Sequence, residues 1–540
     1  MHCDVVILGG NVITIDPERP RAQAVAVKFG RILAIGKDDE LKLLVGANTK
    51  VVDARGMTVL PGFIDAHCHP LDAGRRALLR ANCGPAEAPS IADAKRVLAE
   101  RAHATPAGQW VLGYGYDEAK LPEGRLLTRA DLDEVTVDHP VFVEHSSGHI
   151  GMLNSRGLER GNLTRDSADP EGGTYGRDTA GELDGCVFET GQDKFIGRGA
   201  HVGRGLIPAP TPEDDRRALE LVTSQAASLG ITGYHEMLAD PTMLKTYQAA
   251  RNNGELGVRV SAYIYVDYLD AIVNAGLQSG FGDSLLRIGG AKLLGDGALS
   301  GRTAFLWEPY EGRSDYFGVQ GAVPDVMEAQ VLEAHRAGLQ VGIHANGDRF
   351  IGMVLDSYEK ALEVVPRCDH RLRIEHCSVM NPQLLRRMQR LGVMAIPFGS
   401  YIYYHGEKMG SYGSKRLEMM LPHRSFLDAG IPIAGSSDYP CGPWNPLIGI
   451  QSCVTRKSRA GEEIGPGQRI TPEEALRVYT LGGAYASFEE NDKGSIKVGK
   501  LADFVLLGGD PTSAEPDSIA EIPVVATIVG GEVVYWTASQ

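Results

Sequence analysis

Five short apolar runs in this 540-residue chain each end on, or carry near their end, a side chain able to bind a divalent metal. The first is Gly62-Phe63-Ile64-Asp65-Ala66-His67-Cys68-His69. On a strand, the i, i+2 spacing of His67 and His69 points both imidazoles to one face. The others are 287–294 with Lys292, 339–345 with His344, 372–377 with His376, and 431–438 closing on Asp438. They are rich in Ile, Val, Leu and Ala and bounded by Gly, Asp or Asn, as parallel strands buried on both faces are. Helix-like stretches such as 324–337 and 382–390 separate them. Alternating strand and helix argues for an α/β fold, a (β/α)8 TIM-type barrel, whose functional residues gather at the C-terminal strand ends.

Eight barrel strands are expected near 61–66, 231–235, 258–265, 287–294, 339–345, 372–377, 392–397 and 431–436, within a barrel spanning about 60–488. The stretch 71–206 is too long for a strand-to-helix loop. It reads as an insertion subdomain after the first strand, with a helix at 91–104, a strand at 140–144 and a Gly- and Asp-rich hairpin or loop at 171–185. Residues 1–59 and 489–540 carry strand-like segments at 5–10, 24–29, 31–36, 502–507, 526–529 and 532–536. A lipoyl-like module is another reading of such β-rich ends, but no lysine-bearing hairpin supports it.

The order His-x-His, Lys, His, His, Asp resembles the binuclear form of the amidohydrolase superfamily. The segments 291–304 (AKLLGDGALSGRTA), 344–348 (HANGD), 374–376 (IEH) and 435–438 (GSSD) are similar to its YtcJ-like branch, which includes N-substituted formamide deformylase (amidohydrolase family 3). The resemblance spans essentially the whole chain. It implies that both chain ends combine into a small β-sandwich beside the barrel, and that the insertion lies over the barrel mouth. It also implies the ligand set His67, His69, Lys292, His344, His376 and Asp438.

Residue chemistry agrees with those roles. His67, His69 and Asp438 suit a first metal, and His344 and His376 a second. A lysine inside Ile-Gly-Gly-Ala-Lys-Leu-Leu is expected to be buried, which favours its neutral amine. That amine can take up carbon dioxide as a carbamate and bridge two cations. The alternative is a buried Lys292 paired with Asp296 or Glu236, and then a single metal. Zinc fits the ligand types, with iron, manganese or cobalt also accommodated. Further candidates are His145, His149, His235, Arg302, Tyr401 and Trp444 for substrate, and Asp296, Asn346 and Asp348 for steadying the ligands. Each of these also has a reading as packing or hydrogen bonding alone.

The expected reaction is hydrolysis of a C–N amide bond by a metal-activated hydroxide, with Asp438 moving the proton. Ester, lactone or carbamate hydrolysis uses the same chemistry. A mononuclear deaminase is disfavoured because His344-Ala345-Asn346-Gly347-Asp348 lacks the glutamate such enzymes carry there. A non-catalytic scaffold is disfavoured because all six ligand positions are filled. A net charge of −15 argues against nonspecific nucleic-acid binding. Eight scattered cysteines imply no disulfide framework, and Cys68, Cys377 and Cys441 read as reduced core residues. Neither a signal-peptide pattern nor a run long enough to span a membrane is visible, so the expectation is a cytoplasmic enzyme acting on a small molecule. Family habit implies a homodimer.

Overall fold

The computed structural model describes residues 2–197, 201 and 204–537. The remaining positions, at the outer ends of the expected sandwich and within the expected insertion, lie outside the described residues. The chain forms two compact units, Met1–Pro70 with Leu219–Gln540, and Leu71–Ala218.

Seven parallel strands build the first unit's central sheet: Phe63–Cys68, Ile231–Ala239, Arg259–Tyr265, Leu286–Leu293, Val341–Ala345, Arg373–His376 and Met394–Ile396. They lie side by side in chain order. The first is buried at every residue, because the strands have helices on one side and the barrel interior on the other. The eighth position, expected as a strand over 431–436, is filled less regularly. Parallel bridges join Ala395 to Ile433 and Phe398 to Ser436. On the other edge, Ala66 N–H donates to the Gly435 carbonyl and Asp438 N–H to the His67 carbonyl. Pro432 brings no N–H to a ladder, so single bonds replace a continuous strand.

Helices follow the strands with clear stop and start signals. Asp240 caps Pro241–Asn253 through the Met243 N–H, and Asn381 caps Pro382–Leu391 through Gln383 and Leu384. Gly254 and Gly392 end these helices in left-handed conformation. The helix expected at 324–337 is Pro324–Arg336.

Both chain ends share one six-stranded sheet, in which Thr58–Pro61 pairs antiparallel with Phe504–Leu507. A four-stranded sheet of N-terminal strands faces it across Val5, Ile7, Val25, Phe504 and Ile528. The short strands Asn11–Ile13 and Lys50–Asp53 were not legible in the sequence.

The second unit, Leu71–Ala218, carries its own six-stranded mixed sheet. One apolar cluster includes Ile91, Leu98, Val111 and Val143, and another Phe142, Leu153, Val187 and Phe195. Gly173–Arg177 and Leu183–Glu189 form the hairpin near 171–185. Among the described residues no helix is long and apolar enough to cross a membrane. No disulfide joins the cysteines; Cys68 and Cys377 are buried, whereas Cys441, expected in the core, is exposed.

A buried ion pair fastens barrel to sandwich. Arg259 donates to both oxygens of Asp503, at 2.7 and 2.8 Å, with both side chains at 6% exposure or less. Asp503 Oδ1 also accepts from the Gly530 N–H. Asp503→Ala strands the guanidinium in a dry site, and the expected loss is about 3–5 kcal/mol of stability. Chemical denaturation measures it; a loss below about 1 kcal/mol, the exposed-pair range, contradicts this role.

Candidate metal centre

His67 and Asp65 occupy alternate positions on the first barrel strand and are both buried. Beyond the strand end, His69 turns its Nδ1 to the Met237 carbonyl at 3.1 Å. Asp438 meets both imidazoles: its Oδ1 lies 3.4 Å from His67 Nε2 and 3.3 Å from His69 Nε2. One ligand atom from each of His67, His376 and Asp438 falls within 4.8 Å of the other two. The His376 ring is 4.8 Å from that of His67 and 4.6 Å from that of His344. The four imidazoles and one carboxylate are thus contiguous, and this donor set suits a divalent transition metal.

Two of these donors reach the cluster through strained backbone. His376 has φ 68° and Asp438 φ 50°, left-handed values that are uncommon outside glycine. His376 is three residues beyond the inward-pointing Arg373, so strand alternation alone would send it outward. The break at His376 and Cys377 (φ 46°) turns its ring inward instead.

Lys292 is 1% exposed, and its Nζ donates to the Leu293 carbonyl at 3.2 Å. Burial lowers it to about 8, against the opposing pull of the Glu375 and Asp438 charges. Burial and then the Lys292 charge bring His344 down to about 3, so it is a neutral imidazole. Burial would raise Asp438, but the imidazoles of His376, His67 and His69 around it outweigh burial and hold the carboxyl well below its ordinary range.

The candidate supporting residues act mainly on backbone. Asp296 accepts N–H bonds from Phe305, Asn346 and Gly347, each at 2.8 Å, and burial raises it to about 7. Asn346 donates to the Gly297 carbonyl and to His344 Nε2, and accepts from Ser378 Oγ. Asp348 accepts from the Trp307 N–H.

The substrate candidates have different surroundings. His235 lies inside the barrel with Nδ1 3.0 Å from Arg373. Arg302 is exposed on a turn, at φ 55°. Tyr401 is buried against Phe398 and His405. Trp444 stacks on Tyr439 at 4.7 Å and meets Tyr234 edge-on. His145 and His149 belong to the second unit, where His145 sits between Ser147 and Glu118, and His149 faces Glu189.

Three residues around the candidate ligands escaped the sequence reading: Asp65, Arg373 and Glu375. Asp65 accepts from the N–H groups of His67 and Ser437 and from Ser437 Oγ, which ties the Asp438 segment to the first strand. The signal was present as charges inside runs that must be buried. Asp65→Ala is expected to release this tie and lower bound metal per chain by at least half, read by elemental mass spectrometry. Unchanged metal content would remove Asp65 from the support of the centre.

The sequence profile of the amidohydrolase family matches residues 50–535. The putative amidohydrolase YtcJ of Bacillus subtilis is 29% identical over 539 residues, 98% of this chain and 98% of that protein. N-substituted formamide deformylase of Arthrobacter pascens is 28% identical over 543 residues, again 98% of each. The crystal structure of an uncharacterized metal-dependent hydrolase from Pyrococcus furiosus superimposes with a TM-score of 0.75 at 26% identity, over 94% of this chain and 100% of that one.

Proposed function

This chain belongs to the amidohydrolase family, and from that premise we propose that it cleaves the C–N bond of an N-substituted amide, formamide or other N-acyl small molecule. Metal-dependent hydrolysis is the family's chemistry. The finer reading draws support from the likeness to N-substituted formamide deformylase. The observation that carries it is the convergence of His67, His376 and Asp438 within 4.8 Å, with His69 Nε2 3.3 Å from the same carboxylate.

In this proposal His67, His69 and Asp438 would hold one divalent ion and His344 and His376 a second. Lys292, as the carbamate that its neutral amine would form with carbon dioxide with loss of one proton, would supply the remaining oxygen ligands. Zinc is the ion that best suits these ligands. Bound divalent ions supply a polarised substrate carbonyl and a water acidic enough to attack near neutral pH. Asp438 would take the attacking water's proton and return it to the departing nitrogen, which leaves as an amine.

Asp438→Asn is expected to stay folded and keep most of its metal while turnover falls by about 10²–10⁴-fold. Turnover near the wild-type level would take Asp438 out of the reaction. Metal content separates the two-ion proposal from a one-ion site: about two ions per wild-type chain are expected, and about one in Lys292→Ala. A matched series of N-formyl, N-acetyl and ester substrates tests the bond. Cleavage of the esters with the amides untouched would overturn the C–N assignment.

A further inference from the structure

Arg373 and Glu375 alternate on a four-residue strand, so both side chains point into the barrel, where each has 0% exposure. Neither belongs to the His67–His376–Asp438 cluster. Glu375 Oε1 accepts from Arg373 Nε, and Oε2 accepts from Arg373 at 2.9 Å and from His67 Nδ1 at 2.6 Å. A carboxylate offers lone pairs only, so His67 Nδ1 carries a proton, and Nε2 is the nitrogen left for a metal. That Nε2 faces Asp438.

The pair is itself held. Arg373 donates to Tyr263 Oη and His235 Nδ1, each at 3.0 Å, and to the Ala66 carbonyl. Gly342 lies opposite Arg373 in register, and a Cβ there would sit 2.5 Å from Glu375 Oε1. The missing side chain makes the space that the carboxylate fills.

We propose that the Arg373–Glu375 pair is a positioning element that locks His67 in its Nδ1–H tautomer and presents Nε2 to the metal. This rests on the metal-dependent reading above. Arg373 occupies both carboxylate oxygens, leaving Oε2 one direction in which to accept, and His67 fills it.

Glu375→Gln is a near-isosteric test. Its amide NH2 must face a donor at either position, Arg373 Nε at one or Arg373 and His67 at the other. Metal affinity, measured by competition with a chelating dye on protein of unchanged circular dichroism, is expected to fall about 10–100-fold. Gly342→Ala, which displaces the carboxylate without removing it, is expected to weaken binding in the same direction. Glu375→Asp, which keeps the charge, is expected to lose less than Glu375→Gln. A folded Glu375→Gln with wild-type metal affinity overturns the proposal. The tautomer is read separately in metal-free wild-type protein labelled with 15N-histidine, His67 being assigned by its loss in His67→Asn. A proton on Nδ1 is expected, and an Nδ1 without a proton, the proton being on Nε2 alone, overturns the inference even if the variants fail to fold. Wild-type protein that binds no metal, but shows the Nδ1 proton, refutes the metal-dependent reading and leaves the tautomer assignment standing.

Discussion

A carboxylate with no exposure cannot keep its charge unless its surroundings replace the water it has lost, and Glu375 imposes that requirement on the barrel interior. Burial alone would raise it; Arg373 and His67 outweigh burial and hold it well below the ordinary carboxylate range. Arg373 then needs partners for its remaining donors, which accounts for Tyr263, His235 and the Ala66 carbonyl around it. Tyr263 in turn donates to Gln340, and Gln340 to the Arg371 carbonyl. Small residues provide the room: Cβ atoms at Gly289 and Gly290 would press on the Tyr263 ring, as one at Gly342 would on Glu375. One buried charge thus propagates across neighbouring strands and into the orientation of His67.

The donors above this layer are aimed by backbone strain. His376, Cys377 and Asp438 all occupy the left-handed region, at a cost of order 1 kcal/mol or more each. Surrounding bonds hold them there. Cys377 N–H donates to the Ala345 carbonyl, Asp438 N–H to the His67 carbonyl, and Asp65 grips Ser437. Irregularity in the 431–438 segment is therefore what brings Asp438 within 3.4 Å of both imidazoles of the first strand.

The carboxylates of this barrel do different work because their surroundings differ. Asp438 is surrounded by imidazoles and held ionised, which suits a carboxylate that could bind a cation. Asp296 accepts three backbone N–H bonds and joins the loop after the fourth strand to the loop after the fifth. Asp503 faces a guanidinium between barrel and sandwich. Residue type alone does not separate these roles; the identity of the donors does.

The barrel was legible in the sequence because burial on both faces leaves a strong local trace: short runs of Val, Ile, Leu and Ala broken by Gly and Asp. The strands carrying Lys292 and His344, and the helices after the fourth and sixth strands, fall within a few residues of where periodicity put them. Short strands such as Asn11–Ile13 escaped because three residues set no period. The spacing of His67 and His69 fixed their common face, since a strand's side chains alternate with period two. That same rule fails at His376, whose inward turn depends on two positive φ angles that only tertiary contacts hold in place. Likewise the sequence displayed Arg373 and Glu375 as charges in a buried run but not their partner. His67 lies 308 positions from Glu375 along the chain, and only closure of the barrel brings them to 2.6 Å. Local periodicity determined the elements and the face each side chain takes. Long-range closure decided which charges neutralise one another, because that pairing is an energy of the folded interior and has no counterpart along the chain.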